Sequence, residues 1–357
     1  MQGKFTKDKN IYRKSFLIVF GILLAIALIG SLITARNLPK GLSQIAKKHN
    51  LKIGTAVSSW QLDDPQFASV LIRNFNLITP ENEMKFELLS PAPGEYDFSG
   101  ADKIIAFAKK HGISVRGHTL VWTNQLPKWL VNGNFSRDEL IIILHNHIDT
   151  VVSHYRGQVS YWDVVNESLA PDGSISQDNF WMQHIGPEYI ELAFRWAHEA
   201  DPNALLFYNE ANAEGKGLKA DGLFMLANML ITQGIPLHGI GFEMHTGLGW
   251  SPKPDELAIN IQRLADLGLE IHITEMDVRI IEPASLEDLY EQAKIYAEIV
   301  QTCLDATNCT AYSTWGLTDT LSWIPHIYPG TGSPLLFYGD YTPKPAYYAI
   351  QKVLEIK

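Results

Sequence analysis

The 357-residue chain is short of several things, and each shortage narrows what it can be. It has two cysteines, Cys303 and Cys309 in "CLDATNC", so no framework of bridges replaces a hydrophobic core. In an exported protein so close a pair reads as a disulfide, and its small loop contributes roughly 2 kcal/mol at most. Positive charge is scarce. The formal net charge is -10, and residues 1–35 carry Lys4, Lys7, Lys9, Arg13 and Lys14 against Asp8, a local +4 that leaves -14 for the rest. So acidic a body is a poor partner for nucleic acid or anionic lipid, whereas a neutral polymer stays acceptable. Repeats of 20–50 residues, low-complexity linkers and long charge runs are lacking, so residues 38–357 read as one domain. Metal-ligand spacing is lacking too. The pair in "HNH" at 145–147 is two residues apart on a helical segment and cannot share a face, so no metal and no cofactor is expected.

Only one long apolar run occurs, Phe16 to Thr34, "FLIVFGILLAIALIGSLIT". At 1.5 Å per residue it spans about 28 Å, close to the ~30 Å hydrocarbon thickness of a bilayer. Residues 1–37 therefore read as a signal-anchor left in place or as a signal peptide that is cut. Ile33 makes a poor small-residue site for cleavage after Ala35. With the basic side cytoplasmic, both versions export residues 38–357, anchored to the membrane or secreted.

What the body does have is alternation. Short apolar or β-rich runs appear at 52–57, 76–79, 113–118, 159–165, 204–208, 238–243, 270–274 and 310–315. Between them lie helix-like segments. Leu140, Leu144, Ile148, Val151 and Tyr155 make one amphipathic face, and Ile190, Phe194, Ala197 and Ala200 another. Eight strands alternating with helices favour a closed (β/α)8 barrel, with an open parallel sheet as the alternative. Six of the runs end in, or lead into, groups able to do chemistry: Glu81, His118, Glu167, Tyr208-Asn209-Glu210, Glu243 with His245, and Glu275. The last run ends at Trp315. In a barrel these ends converge on one face, where active sites lie.

Glu167, closing "WDVVNE", and Glu275, in "IHITEMD", stand out as a pair, since both follow apolar strands. A protonated carboxyl facing an ionised one is what cleavage of a glycosidic bond requires, and burial with mutual repulsion would separate their pKa values. On spacing alone, a structural ion-pair role stays open for both.

The stretch from about Leu38 to the end resembles glycoside hydrolase family 10, the retaining endo-1,4-β-xylanases. The motifs "TPENEMK", "GHTLVW", "WDVVNE", "YNEAN", "ITEMD" and "TWGLTDTLSW" carry the resemblance, with "PGEYDFSGAD" and "PLLFYGDYTPKPAY" around them. It implies a (β/α)8 barrel, xylan and xylo-oligosaccharides as substrate, a monomeric catalytic domain, Glu167 as general acid/base and Glu275 as nucleophile. Retention requires the two carboxyls about 5–5.5 Å apart. The resemblance further implies that Asn166 bonds the sugar 2-OH, and that His245 with Asp277 orients the nucleophile. Glu81, Asn82 and Lys85 would hold the next xylose unit on the non-reducing side. His118, Trp122 and Gln125 would wall the cleaved sugar, Trp315 and Trp323 would be its aromatic floor and lid, and Tyr208 would receive the leaving sugar. Crowding by Trp323 and Gln125 should disfavour the extra hydroxymethyl of glucose, an effect limited to a few kcal/mol.

Two positions depart from the family pattern. Glu243, in "GFEMH", stands where Gln is usual, which predicts an altered pH optimum. Thr123 replaces a frequent His, which puts one sugar contact in doubt. The alternatives to a xylanase are a cellulase or mixed-linkage glucanase on the same barrel, and a glycan-binding protein that has lost catalysis. Both glutamates are present, which argues against the last. Asn134-Phe-Ser136 and Asn308-Cys-Thr310 fit the glycosylation pattern, a weak signal.

Overall fold

A computed structural model of the protein describes residues 40–356. The apolar run and the boundary at residue 37 lie outside the described residues, among which no helix is long and apolar enough to cross a membrane. Eight parallel strands form the sheet: β1 Lys52–Val57, β2 Leu77–Pro80, β3 Ser114–Val121, β4 Tyr161–Asn166, β5 Leu205–Glu210, β6 Gly239–Phe242, β7 Glu270–Ile281 and β8 Cys309–Thr314. Each pairs with the next, and β8 pairs back to β1 through Ala311 and Lys52, which closes the barrel. The helices of ten or more residues fall between and after the strands: α1 Pro65–Asn74, α2 Ser99–His111, α3 Arg137–His154, α4 Tyr189–Ala200, α5 Leu218–Thr232, α6 Pro254–Ala265, α7 Leu286–Asp305 and α8 Pro345–Ile356. The closed barrel, not the open sheet, is the architecture.

Local chemistry starts and stops these elements. Ser136 opens α3 with a reciprocal capping box to Glu139, satisfying two backbone donors at once. Gly112 ends α2 in the left-handed conformation at φ 66°, where a side chain would be strained. The two expected apolar faces are buried throughout, Leu140 to Tyr155 and Ile190 to Ala200 each packing onto the outside of the barrel. Cys303 in α7 and Cys309 at the start of β8 form the expected disulfide.

Strand parity decides what faces the axis. Trp162 in β4 points outward toward Tyr155 at the end of α3, and so close to β3 that a Cβ at Gly117 would lie 2.2 Å from its ring. Its neighbour Asp163 points inward. There it accepts hydrogen bonds from Arg116 of β3, Nε to Oδ2 at 2.9 Å and Nη2 to Oδ1, and meets His118 Nδ1 at 3.0 Å. Arg116 also lies over Phe207 and contacts His272 Nδ1 at 2.8 Å. Burial holds the His272 ring down to about 4, so it stays neutral and accepts from the guanidinium. The barrel floor is thus a buried ionic cluster, and the groups above it stand on a rigid base.

Candidate active site

Above that floor, the strand ends enclose a cavity of about 490 Å³. It is lined by Glu81, Asn82, Lys85, His118, Trp122, Gln125, Asn166, Glu167, Glu243, His245, Glu275, Trp315 and Trp323, which are among the residues singled out in the sequence. Asn124, His326 and Ile327 join them. A larger cavity of about 600 Å³ lies beside α3, lined by Phe86, Tyr96, Trp129, Phe135 and Ile143. Its one carboxyl, Glu139, is bound in the Ser136 capping box, so no free acid serves chemistry there.

Glu275 sits within β7 and is 4% exposed. Its Oε1 accepts from Asn209 Nδ2 at 2.8 Å and lies 3.7 Å from His118 Nδ1, while its Oε2 meets His245 Nε2 at 3.3 Å. Burial pushes this carboxyl up, but His118 and His245 outweigh it and hold the group below the ordinary value, hence ionised. The geometry around His245 follows from topology. A three-residue strand, His245–Gly247, pairs with the far half of β7 and sets His245 opposite Asp277. His245 Nδ1 lies 2.9 Å from Asp277 Oδ2, which also accepts from Trp323 Nε1 at 2.9 Å. Burial alone would lower the histidine pKa, yet Asp277 and Glu275 raise it well above the usual range. Glu243, His245 and Glu275 bring ligand-type atoms within 4.8 Å of one another, with the second ring nitrogen of His245 engaged by Asp277.

Glu167 follows β4 at φ 49°, a conformation costly for a residue with a Cβ, and so turns its side chain into the cavity. Trp122 Nε1 donates to its Oε2 at 2.8 Å. Gln125 (φ 48°) and Met244 (φ 64°) share that strain, so three of the chain's left-handed non-glycine residues lie in or next to the site. Across the cavity, Lys85 Nζ donates to Asn82 Oδ1 at 3.2 Å and lies 4.9 Å from the Trp122 ring. Burial lowers its pKa, with Glu275, Glu81, Glu243 and Glu167 opposing. Glu81 is pushed up by burial against the pull of Ser58 and Lys85. Trp315 and Trp323 stand edge-on to His245, with ring centroids 6.3 and 4.9 Å away.

Tyr208 is not where the family resemblance had put it. It is 1% exposed and faces the outer layer, its hydroxyl donating to Glu210 Oε2 at 2.7 Å and bonding Ser168 Oγ at 2.6 Å. Parity on β5 explains this: Phe207 and Asn209 point inward, so Tyr208 between them cannot. Glu210 likewise serves structure, paired with Lys219 at 2.8 Å. Thr123 accepts the Phe180 N–H at 2.9 Å and braces its loop. Asn308, half-buried, donates its amide to Leu269 O at 3.0 Å.

Asn209 is the residue the sequence reading left without a role. Its Nδ2 faces Asn166 Oδ1 at 2.8 Å, Glu275 Oε1 at 2.8 Å and Glu243 Oε1 at 3.3 Å, and its Oδ1 accepts from Thr274 Oγ1 at 2.8 Å. A Cβ at Gly241 would lie 2.0 Å from that Oδ1, so only glycine lets the amide sit there. The signal available in the sequence was its inward parity next to a misread aromatic.

Known proteins share this arrangement of elements. The model of Glycosyl hydrolase family 10 matches residues 41–353. Endo-1,4-beta-xylanase B of Thermotoga neapolitana is 41% identical over 341 residues, covering 94% of this chain and 97% of that one. Beta-1,4-xylanase of Dictyoglomus thermophilum is 39% identical, covering 93% and 97%. Among solved structures, xylanase 10B from Thermotoga petrophila RKU-1 in complex with xylobiose superposes with a TM-score of 0.86 at 42% identity, covering 89% of this chain and 98% of that one.

Proposed function

This chain belongs to glycosyl hydrolase family 10, and we infer from that premise that it is an endo-1,4-β-xylanase. It hydrolyses internal β-1,4-xylosidic bonds by double displacement with retention. The observation that carries the reading is one buried trough holding Glu167 and Glu275, the latter kept ionised by His245 and His118. Glu275 attacks the anomeric carbon as Glu167 passes a proton to the departing oxygen, and a glycosyl ester forms on Glu275. Glu167 then takes a proton from a water that attacks the same carbon from the vacated side, and Glu275 leaves as carboxylate. Asn209 fixes the position of both Asn166 and Glu275, so the amide meant for the sugar 2-OH and the nucleophile move as one unit. Trp315 and Trp323 offer ring surface to a pyranose, and Glu81, Asn82 and Lys85 supply the polar contacts one sugar away.

Product analysis on arabinoxylan tests this, with Glu275→Ala as control. Short xylo-oligosaccharides should accumulate with wild type and be absent with the variant; no products from wild type would overturn the assignment. The basic N-terminus followed by the uncharged run Phe16–Thr34 supports export, with the run as anchor or cleaved signal. Fractionation with N-terminal sequencing of the mature protein checks it, and full-length protein in the cytosol would refute it.

A further inference from the structure

We propose that Arg279 is a receptor for a carboxylate-bearing branch on the substrate chain, a uronic acid carried by a xylose unit away from the cleaved bond. This rests on the xylanase reading above and deepens it by naming a class of decorated polymer that the cleft selects. On β7, Glu275, Asp277 and Arg279 alternate onto one side of the strand. At about 3.3 Å per residue, Arg279 stands about 13 Å along the strand from Glu275, at the rim of the site. The same three-residue strand that sets His245 opposite Asp277 sets Gly247 opposite Arg279.

The side chain is held by aromatic rings and left without a counterion. Its guanidinium carbon lies 3.7 Å from the centre of the Tyr328 ring and 4.5 Å from that of Trp250. A Cβ at Gly247 would come within 2.4 Å of Trp250 Nε1 and 3.2 Å of Arg279 Cγ, so glycine is what lets indole and arginine pack together here. Stacking uses the faces of a guanidinium, whereas its N–H donors point outward in the plane. Among the described residues these donors have no carboxylate and no hydrogen-bond acceptor as partner. The nearby acids in sequence are committed elsewhere, Asp277 to His245 and Trp323, and Glu282 to Ser333 Oγ and the Ala284 N–H. In so acidic a chain, an arginine that none of the surplus carboxylates takes up is a cation held ready for an external anion.

The patch is continuous with the trough. Trp323, which donates to Asp277, meets Tyr328 edge-on with ring centroids 5.8 Å apart. His326 and Ile327, just before Tyr328, line the cavity. Tyr328 and Trp250 are both exposed, so a polysaccharide leaving the trough passes over rings that suit a pyranose face. The branch carboxylate then meets the open N–H edge of Arg279. Because the rings fix the side chain beforehand, little rotamer freedom is lost on binding.

The test compares kcat/KM on a glucuronoxylan and on the same polymer with its carboxyls reduced to alcohols. An exposed charged contact predicts a ratio of about five in favour of the acidic form at low salt, shrinking as ionic strength rises. Arg279→Met, which keeps a stem beside the rings, should bring the ratio to about one, and Arg279→Lys should keep most of it. A wild-type ratio of one, or a ratio unchanged in Arg279→Met, would overturn the proposal. A second measurement needs no turnover: calorimetry on Glu275→Ala with a xylo-oligosaccharide carrying one uronic acid, and with its carboxyl-reduced form. The acidic oligosaccharide should bind more tightly by a similar factor, and Glu275→Ala/Arg279→Met should lose the difference. Equal binding of the two forms to Glu275→Ala would refute the receptor. Wild type inactive on both polymers would sink the xylanase reading, and the calorimetry would still judge Arg279 by itself.

Discussion

Replacing Asp163 by Asn perturbs the floor of the site without touching substrate. Asp163 and Arg116 are each 1% exposed at the side chain, and the aspartate receives Arg116 through both oxygens and His118 Nδ1 at 3.0 Å. Burial pushes its carboxyl up, yet Arg116 and His118 hold it below the ordinary range. An asparagine has one acceptor oxygen and turns an N–H₂ toward a guanidinium whose one ion-pair partner among the described residues is Asp163. Leaving such a charge unpaired in the interior costs about 3–5 kcal/mol. Unfolding entropy of roughly 2.1 cal/mol/K per residue gives about 0.6 kcal/mol per degree for a domain of roughly 300 residues, so Tm should fall by about 5–8 °C. Because the aspartate's folded pKa is depressed, its contribution is present above the ordinary carboxylate pKa and fades as pH falls through the folded value. Wild type and variant melting curves should therefore converge in strong acid. Calorimetry at neutral and acid pH reads both effects. A Tm within about 1 °C of wild type at neutral pH would refute the reasoning, and a double change, Arg116→Met with Asp163→Leu, should recover most of the loss.

Asp277→Asn removes the chief support for protonated His245, so Glu275 loses a positive neighbour and takes up its proton at higher pH. The acid limb of the kcat/KM profile should move upward, and an unmoved limb would contradict the assignment. Tyr208→Phe should leave KM for xylan unchanged while lowering stability by about 1–3 kcal/mol, because Glu210 and Ser168 lose a buried partner; a raised KM with full stability would restore a sugar-binding role. Trp323→Ala should raise the rate on carboxymethylcellulose relative to xylan by up to about 200-fold, the span of a few kcal/mol. An unchanged ratio would remove this side chain from substrate selection.

The barrel was legible because apolar runs and amphipathic helices alternate eight times, and the convergence of Glu167 and Glu275 on one cavity because two glutamates close such runs. The least accurate edge was β7, read as ending at residue 274 and extending to Ile281. Thr274, Glu275 and Asp277 break an apolar pattern, yet all are buried at the top of the barrel, paired through Asn209, His245 and Trp323. Tyr208 was misplaced because it was carried over by resemblance with the motif "YNEAN", and only strand register says which of two neighbours faces inward. Arg116 and Asp163 went unpaired for a different reason. They lie on adjacent strands 47 residues apart, and nothing local in either segment announces a buried ion pair.

The division of labour between the two carboxyls is tested most directly by trapping the intermediate. Incubating the enzyme with a 2-deoxy-2-fluoro-xylobioside bearing a good leaving group slows release of the glycosyl ester, and mass spectrometry of the digest locates it. The account predicts a single label on the peptide containing Glu275, with none in Glu275→Ala. A label on Glu167 or Glu243, or rapid turnover with the anomeric configuration of the product inverted, would contradict it.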